Sequence, residues 1–347
     1  MYKEAGVDLE RFSIGADELP YGVWTKSPKC DDFMSNKENA IKNLDQLYNH
    51  SLKRLKSIFA RNKIKMAAWE DILLNHSNKA QSETKIKQEK FDFDVIPYVW
   101  NNTWGDGRED MIYKFANLGF KTVMSNSSAF YFDMTDDKDM ENYGLNWSGY
   151  VSYRDAWGTD PDNVFGNYSL NQKHNITENY TANKEKLNSD GKKNFLGIQS
   201  QLWSETVRSN SILDELLLPN LIIFSERAWV SQPKWILEND PVQQEKKLLV
   251  EWNKFTNTIG QRTLHILNYT FNNLKFDLPK PGAIIKNDTL SVRVQFPGSI
   301  VRYTTDGTTP NKNSVLYEKP IKIDTSKSMI LRTFDNQGRA GRSINIK

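Results

Sequence analysis

The apolar positions of this chain change period several times, and the changes mark its elements. Residues 11–16 form a compact apolar run that predicts a buried strand. Over 37–61 the positions Ile41, Leu44, Leu47, Tyr48, Leu52, Leu55, Ile58 and Phe59 recur every three or four residues, the stripe of an amphipathic helix. The pattern predicts strands over 63–69, 94–100, 121–125 and 195–203, helices over 107–118, 212–218 and 243–267, and a charged surface loop over 78–90. Residues 126–193 are polar, aromatic and rich in Asn, and a connection of that length is a binding loop or a disordered segment. Strands alternating with helices predict an α/β fold with a parallel sheet under helical cover.

From about residue 277 the helical period disappears. Pro279, Pro281 and Gly282 mark a linker. Alternating segments follow at 291–296, 300–304, 321–323 and 329–334, separated by turns at Pro297-Gly298, Asp306-Gly307 and Gln337-Gly338. This spacing predicts a small all-β sandwich. The chain is thus expected to hold one domain in 1–275 and a second in 276–347. A sandwich of this kind binds carbohydrate or packs on its neighbour, and packing is the expected role.

Composition narrows the function. Of 347 residues, 38% are apolar, enough for a core, and 46 basic against 43 acidic residues leave a net charge of only +3. No basic block is interleaved with aromatics, which argues against a nucleic-acid groove. Cys30 is the single cysteine, so no internal disulfide framework exists. Four His without paired spacing argue against a structural zinc site. No apolar run approaches the roughly 20 residues of a membrane helix. Residues 1–6 are too polar for a signal peptide and read as a last helical turn ended by Gly6. The many Asn-x-Ser/Thr sequons, Asn126 and Asn167 among them, read as the composition of an Asn-rich chain.

The chemistry concentrates at the ends of the apolar runs. Asp17 and Glu18 stand where the first run meets a loop containing Pro20 and Gly22. Neighbours along a strand point to opposite sides, so both carboxylates enter one pocket only if the strand stops there, as a Pro/Gly loop makes it do. Alone, an adjacent pair is more often a solvated loop charge. Trp69-Glu70-Asp71, Tyr131-Phe132-Asp133 and Trp203-Ser204-Glu205 repeat the arrangement of aromatic and acid at a run's end, although Glu70 and Asp71 also read as solvated charges. Ten Trp and fourteen Tyr supply the flat surfaces on which sugars or bases stack.

These residues carry a resemblance. Ile14-Gly15-Ala16-Asp17-Glu18 resembles the catalytic Asp-Glu motif of family 20 glycoside hydrolases, the β-N-acetylhexosaminidases. Gly22-Val23-Trp24 with Ser27-Pro28 and Cys30 is similar to the bacterial chitobiase branch. Gly144-Leu145-Asn146-Trp147-Ser148-Gly149-Tyr150, Leu202-Trp203-Ser204-Glu205 and Ser225-Glu226-Arg227-Ala228-Trp229 are similar to later motifs in the same order. Pro281-Gly282-Ala283, Arg302-Tyr303-Thr304-Thr305-Asp306-Gly307 and Leu331-Arg332-Thr333-Phe334-Asp335 resemble the chitobiase carboxy-terminal domain.

The resemblance implies a (β/α)8 TIM barrel with its chemistry at the carboxy ends of the strands, followed by an immunoglobulin-like sandwich. It implies exo-hydrolysis of N-acetylhexosamine-terminated oligosaccharides with retention, the substrate's acetamido oxygen serving as nucleophile. Glu18 then maps to the general acid, its pKa raised by the neighbouring carboxylate. Asp17 maps to the group that orients the acetamido N–H, and Tyr131 to the hydroxyl donor for the acetamido carbonyl. Trp69, Trp100 and Trp203 match lining tryptophans, with Trp104 the alternative to Trp100. Asp133 and Glu205 match groups that bond outer sugar hydroxyls, and Trp147 an aromatic platform under the next sugar. Glu226-Arg227 reads as a structural ion pair. No cofactor or metal is implied, because the substrate supplies the nucleophile.

Two departures from the family pattern stand out. Ser13 occupies the place of a usual His, and a hydroxyl lacks the reach of an imidazole. Before Phe12 there is no room for three β/α units, nor for the arginine that grips the terminal sugar. The expectation is therefore a partial barrel of about strands 4–8, in a chain that hydrolyses N-acetylglucosaminides weakly or not at all and acts at most as a carbohydrate-binding remnant. Two open strand edges are expected to drive self-association. A full-length relative is expected in the periplasm or outside the cell.

Overall fold

The computed structural model describes residues 1–347 except 3, 21, 40, 75–85, 87–93, 231, 272–273, 325–327 and 347. The predicted charged loop at 78–90 lies outside the described residues, Ile86 apart. In chain order the elements are β1 (Arg11–Ser13), α1 (Pro28–Ser35), α2 (Leu44–Arg61), β2 (Lys65–Trp69), β3 (Val95–Val99), α3 (Met111–Asn117), β4 (Thr122–Met124), α4 (Ser127–Phe130), α5 (Tyr153–Gly158), α6 (Tyr168–Lys173), α7 (Glu178–Ala182), α8 (Ser189–Lys192) and β5 (Phe195–Ile198). They continue with α9 (Asn210–Leu217), α10 (Asn220–Trp229), α11 (Pro241–Thr258), α12 (Leu264–Thr270), β6 (Gly282–Lys286), β7 (Thr289–Arg293), β8 (Ile300–Thr304), β9 (Val315–Leu316), β10 (Ile321–Lys322), β11 (Met329–Phe334) and β12 (Ala340–Ile346). The trace divides into two compact units. The first comprises Met1–Tyr131, Thr159–Gly166 and Leu170–Gln201, the second Phe132–Gly158, Asn167–Ser169 and Leu202–Lys347.

The first unit is built on one parallel sheet in the order β1-β2-β3-β4-β5. Its register pairs Ser13 with Ala67, Ala67 with Ile96 and Val99 with Met124. Ala67, Ile96 and Val123 share one face and form a buried layer against Tyr98, the apolar reading expected of strands covered on both faces. At the edge, residues 11–13 of β1 are exposed and the strand stops at Ser13, where the sequence predicts a buried strand through 16. An edge strand has a neighbour on one side only, so its side chains lose half their cover.

The helix expected over 37–61 is shorter in fact. Lys37–Asn39 is a 3-10 turn, and α2 begins only after Asn43, whose side-chain oxygen accepts the Gln46 N–H at 2.9 Å. That N-cap fixes the start. The part of 126–193 in this unit is ordered by buried polar anchors. The Tyr113 hydroxyl donates to the Pro161 carbonyl and accepts the Val164 N–H, each at 2.9 Å. The buried Glu109 carboxylate accepts from Gly105 N–H, the Tyr180 hydroxyl and Lys184.

The second unit packs α5, α9–α12 and two antiparallel sheets of order β10-β7-β6 and β12-β11-β8-β9. Leu290, Val301, Met329 and Leu331 come from both sheets and share one apolar cluster. Trp157 stacks on Trp235 and Phe255, and the Arg227 guanidinium lies over its ring at 5.3 Å. The predicted helix at 243–267 runs from Pro241 to Thr270, widened by a π turn at Ile259–Thr263. Gly260 sits there because a Cβ would meet the Pro297 carbonyl oxygen at 2.1 Å. Among the described residues no helix is long and apolar enough to cross a membrane.

Candidate active site

The carboxylate pair lies on a loop that departs from the sheet. Ile14 N–H still bonds the Ala67 carbonyl, and the Gly15 carbonyl accepts the Trp69 N–H, both at 2.9 Å. Then Gly15, Ala16 and Glu18 take φ of +71°, +70° and +45°. Left-handed backbone at two non-glycine residues is strained, the kind of local cost that clusters at functional sites. Asp17 and Glu18 are both exposed on this loop. The Glu18 carboxyl is held above the usual carboxylate range, first by partial burial, then by Asp17, then by Asp71.

Asp71 changes the reading of its own motif. Glu70 and Asp71, taken from sequence as solvated charges, are 0% and 8% exposed. After β2 the chain enters a 3-10 turn, Glu70–Leu73, which directs both carboxyls inward to the end of β3. Glu70 Oε2 accepts the Trp100 N–H at 2.9 Å and Oε1 the Asn101 N–H at 3.0 Å. Asp71 Oδ2 accepts the Trp100 indole N–H at 2.9 Å, which fixes the ring. Burial raises the Glu70 carboxyl, and Asp71 raises it further against the pull of the two backbone donors. The Tyr48 hydroxyl, buried near the same charges, is pushed up to about 12 by burial, Asp71 and Asp17. The available signal was spacing alone: an acid two positions after an aromatic, Asp71 after Trp69 as Asp133 after Tyr131 and Glu205 after Trp203.

The rest of the first unit's candidates follow the strand ends. Trp69 closes β2 and meets Tyr98 edge-on at 6.2 Å. Trp104, the alternative to Trp100, stacks on His174 at 5.0 Å and also meets Phe165, which makes it a packing residue. Tyr131 is 4% exposed, directly after α4, and pairs with Gln201 in a parallel bridge. A buried polar seam supports these ends: Gln201 Nε2 donates to Ser125 Oγ, and Ser128 Oγ to Asn126 Oδ1. Asn126 and Asn167 are 2% and 3% exposed, so these sequons are structural amides. Ser13 Oγ accepts the Gly15 N–H at 3.4 Å.

The second unit carries the other candidates. Asp133 is 2% exposed, and its Oδ1 accepts the Trp203 N–H at 3.2 Å. Its Oδ2 is buried without a hydrogen-bond partner among the described residues. Burial lifts this carboxyl to about 6, the Trp203 N–H pulls against it, and Glu205 adds to the rise. Trp203 and Glu205 are exposed beside it. The Asp133 carbonyl accepts the Leu145 N–H at 2.7 Å, which brings the Trp147 segment alongside. Gly144 is required at this crossing: its φ is +117° and a Cβ would lie 2.5 Å from the Asp133 carbonyl oxygen.

Comparison with known proteins agrees with these motifs. The family model for the catalytic domain of glycosyl hydrolase family 20 matches residues 5–232, and that for the chitobiase/beta-hexosaminidase C-terminal domain matches 279–345. A beta-hexosaminidase of Vibrio vulnificus is 27% identical over 370 residues, covering 100% of this chain and 40% of that protein. The N,N'-diacetylchitobiase of Vibrio harveyi is 24% identical, covering 100% of this chain and 41% of that protein. The chain thus spans about two fifths of the length of these curated relatives. The crystal structure of an exo β-N-acetylglucosaminidase from Vibrio harveyi with N-acetylglucosamine aligns over 69% of this chain and 31% of that one, at 24% identity and a TM-score of 0.47. With its catalytic-domain match over most of its length, this chain belongs to glycosyl hydrolase family 20.

Proposed function

We propose that this chain contributes the acid–base machinery of a β-N-acetylhexosaminidase, which removes terminal N-acetylhexosamine from oligosaccharides with retention. The observation that carries this is the strained loop bearing Asp17 and Glu18 at the carboxy end of β1, with Asp71 adding to the field on Glu18. Glu18 protonates the glycosidic oxygen as the acetamido carbonyl oxygen attacks the anomeric carbon and the C–O bond breaks. Asp17 orients the acetamido N–H and stabilises the oxazolinium charge, while the Tyr131 hydroxyl donates to the acetamido oxygen. Water then opens the ring, giving its proton to the Glu18 carboxylate. Trp69, Trp100 and Trp203 wall the sugar, Asp133 and Glu205 accept from its outer hydroxyls, and Trp147 carries the next residue. The unpartnered Asp133 Oδ2 supports the hydroxyl assignment. The sequential parallel sheet supports a (β/α)8 barrel portion for 1–275, and the shared cluster of two sheets supports an immunoglobulin-like sandwich for 276–347.

A second reading, sugar binding without turnover, is favoured by the exposure of the Trp147 and Trp203 indoles. One experiment separates the two: hydrolysis of a chromogenic N-acetylglucosaminide alongside titration with N-acetylglucosamine. Under the first reading Glu18→Gln lowers turnover by about 10²–10⁴-fold with binding retained. Equal turnover in Glu18→Gln rejects that role. Binding without turnover in the unaltered chain selects the second reading.

A further inference from the structure

The segment that presents Asp133 and Trp147 continues into an acidic turn whose partners come from far along the chain. Asp136, Asp137 and Asp139 stand within four positions. Arg342 on β12 reaches Asp136 from Nη2 at 3.1 Å and Asp137 from Nη1 at 3.2 Å, with Asp139 at 3.8 Å. Lys280, in the linker before β6, reaches Asp137 at 2.9 Å and Asp139 at 2.6 Å. The Arg342 side chain is only 12% exposed, while Asp136 and Asp137 keep 24% and 38% of theirs. Behind the turn lies a cavity of about 400 Å³ bordered by Met134, Asp136, Tyr153, Asp277 and Arg342. Apolar packing therefore does not back the turn on that side. Besides local hydrogen bonds, such as Thr135 Oγ1 to the Asp137 carbonyl and Asp139 N–H to Asp137 Oδ1, two cations hold three carboxylates that otherwise repel.

We propose that Arg342 and Lys280 are positioning residues that fix the turn 136–139 and, through it, the segment presenting Asp133 and Trp147. The link is short and covalent: Asp133, Met134 and Thr135 lead directly into the turn. Thr135 N–H bonds the Leu145 carbonyl at 2.8 Å, and Val151 N–H the Thr135 carbonyl at 3.0 Å. Loosening the turn loosens that ladder and both side chains mounted on it. The carboxy-terminal sheets thereby act on the sugar through the loop, without touching it. The sugar part of this inference rests on the reading of Asp133 and Trp147 given above.

Hydrogen exchange on the intact chain tests the clamp without any sugar. In Arg342→Ala and in Lys280→Ala, the amides of Thr135, Leu145 and Val151 should exchange about tenfold faster, the effect of losing one or more hydrogen bonds to charged groups. Those of β11 should be unchanged. Lys280 lies outside every strand, so its variant decides the matter if Arg342→Ala disturbs β12. Arg342→Lys should fall between, since an ammonium is a point charge without the guanidinium's planar fork of donors and reach toward Asp136, Asp137 and Asp139 together. Unchanged exchange at the three amides in Lys280→Ala overturns the proposal. Where the unaltered chain cleaves a disaccharide of N-acetylglucosamine, KM should rise about tenfold in the variants with kcat nearly constant; a loss confined to kcat also overturns it. An unaltered chain that neither binds nor cleaves N-acetylglucosaminides refutes the glycosidase reading instead, and the exchange rates still decide the clamp.

Discussion

Replacing Glu70 with Gln asks whether a buried carboxyl organises the strand ends around Trp100. The Glu70 side chain is 0% exposed, and each of its oxygens takes a different backbone N–H. An amide keeps the shape and one acceptor, but turns an NH₂ toward the second N–H and strands a buried donor. One such stranded group costs about 1–3 kcal/mol. Glu70→Ala strands both N–H groups and leaves a hole, for about twice that cost. Either loss is a large part of the roughly 5–15 kcal/mol of a typical domain. Urea unfolding followed by near-ultraviolet circular dichroism, which senses the Trp100 indole, measures it. The reasoning also fixes a pH signature. Burial and Asp71 hold the Glu70 carboxyl above its ordinary range. In the folded chain it therefore keeps a proton that the unfolded chain has already released. Its contribution is complete below the ordinary carboxylate range and is lost as pH rises through the folded value. The stability of the unaltered chain relative to Glu70→Gln should thus fall from mildly acidic to alkaline buffer. An unchanged urea midpoint in Glu70→Gln, or a difference that grows with pH, refutes the argument.

Other outcomes follow from the same geometry. Gly144→Ala forces a Cβ to 2.5 Å from the Asp133 carbonyl oxygen at a φ of +117°, so it should cost about 1–3 kcal/mol or more and weaken sugar binding; a melting temperature equal to that of the parent speaks against the crossing described. On the proposed mechanism, Asp17→Asn and Tyr131→Phe should each lower kcat by about 10²–10³-fold with little change in KM, because there both act as charge develops on the acetamido group. Efficient cleavage of plain glucosides would exclude substrate assistance altogether. Strands β1 and β5 end the sheet, and Phe12 and Leu196 on them are 51% and 44% exposed, so the chain should self-associate. Light scattering that reports a monomer at every concentration would contradict this.

Where the chemistry depends on chain order, the sequence was explicit. The strand-end positions of Trp69 and Trp100 followed from apolar runs meeting aromatic and acidic residues, whereas β1 stops at Ser13, short of the Ala16 end that the loop with Pro20 and Gly22 suggested. Buried charge was hidden. Nothing local to Glu70 distinguishes it from a solvated glutamate, since its partners are backbone N–H groups some thirty positions on and backbone donors leave no mark in composition. The start of α2 was blurred for a related reason: Ile41 continues the apolar stripe, and only the Asn43 cap interrupts it. The 136–139 turn lies unremarked within the polar stretch 126–193, because the partners that give it a role, Arg342 and Lys280, stand far along the chain.

That last pairing has a consequence in time. The Arg342–Asp136 contact joins positions 206 residues apart. At a synthesis rate of about 5–20 residues per second, the turn leaves the ribosome on the order of 10–40 s before its guanidinium partner. Throughout that interval the nascent turn carries Asp136, Asp137 and Asp139 without Arg342. Until β12 emerges, the mutual repulsion of these three carboxylates opposes closure of the turn and only its local hydrogen bonds favour it.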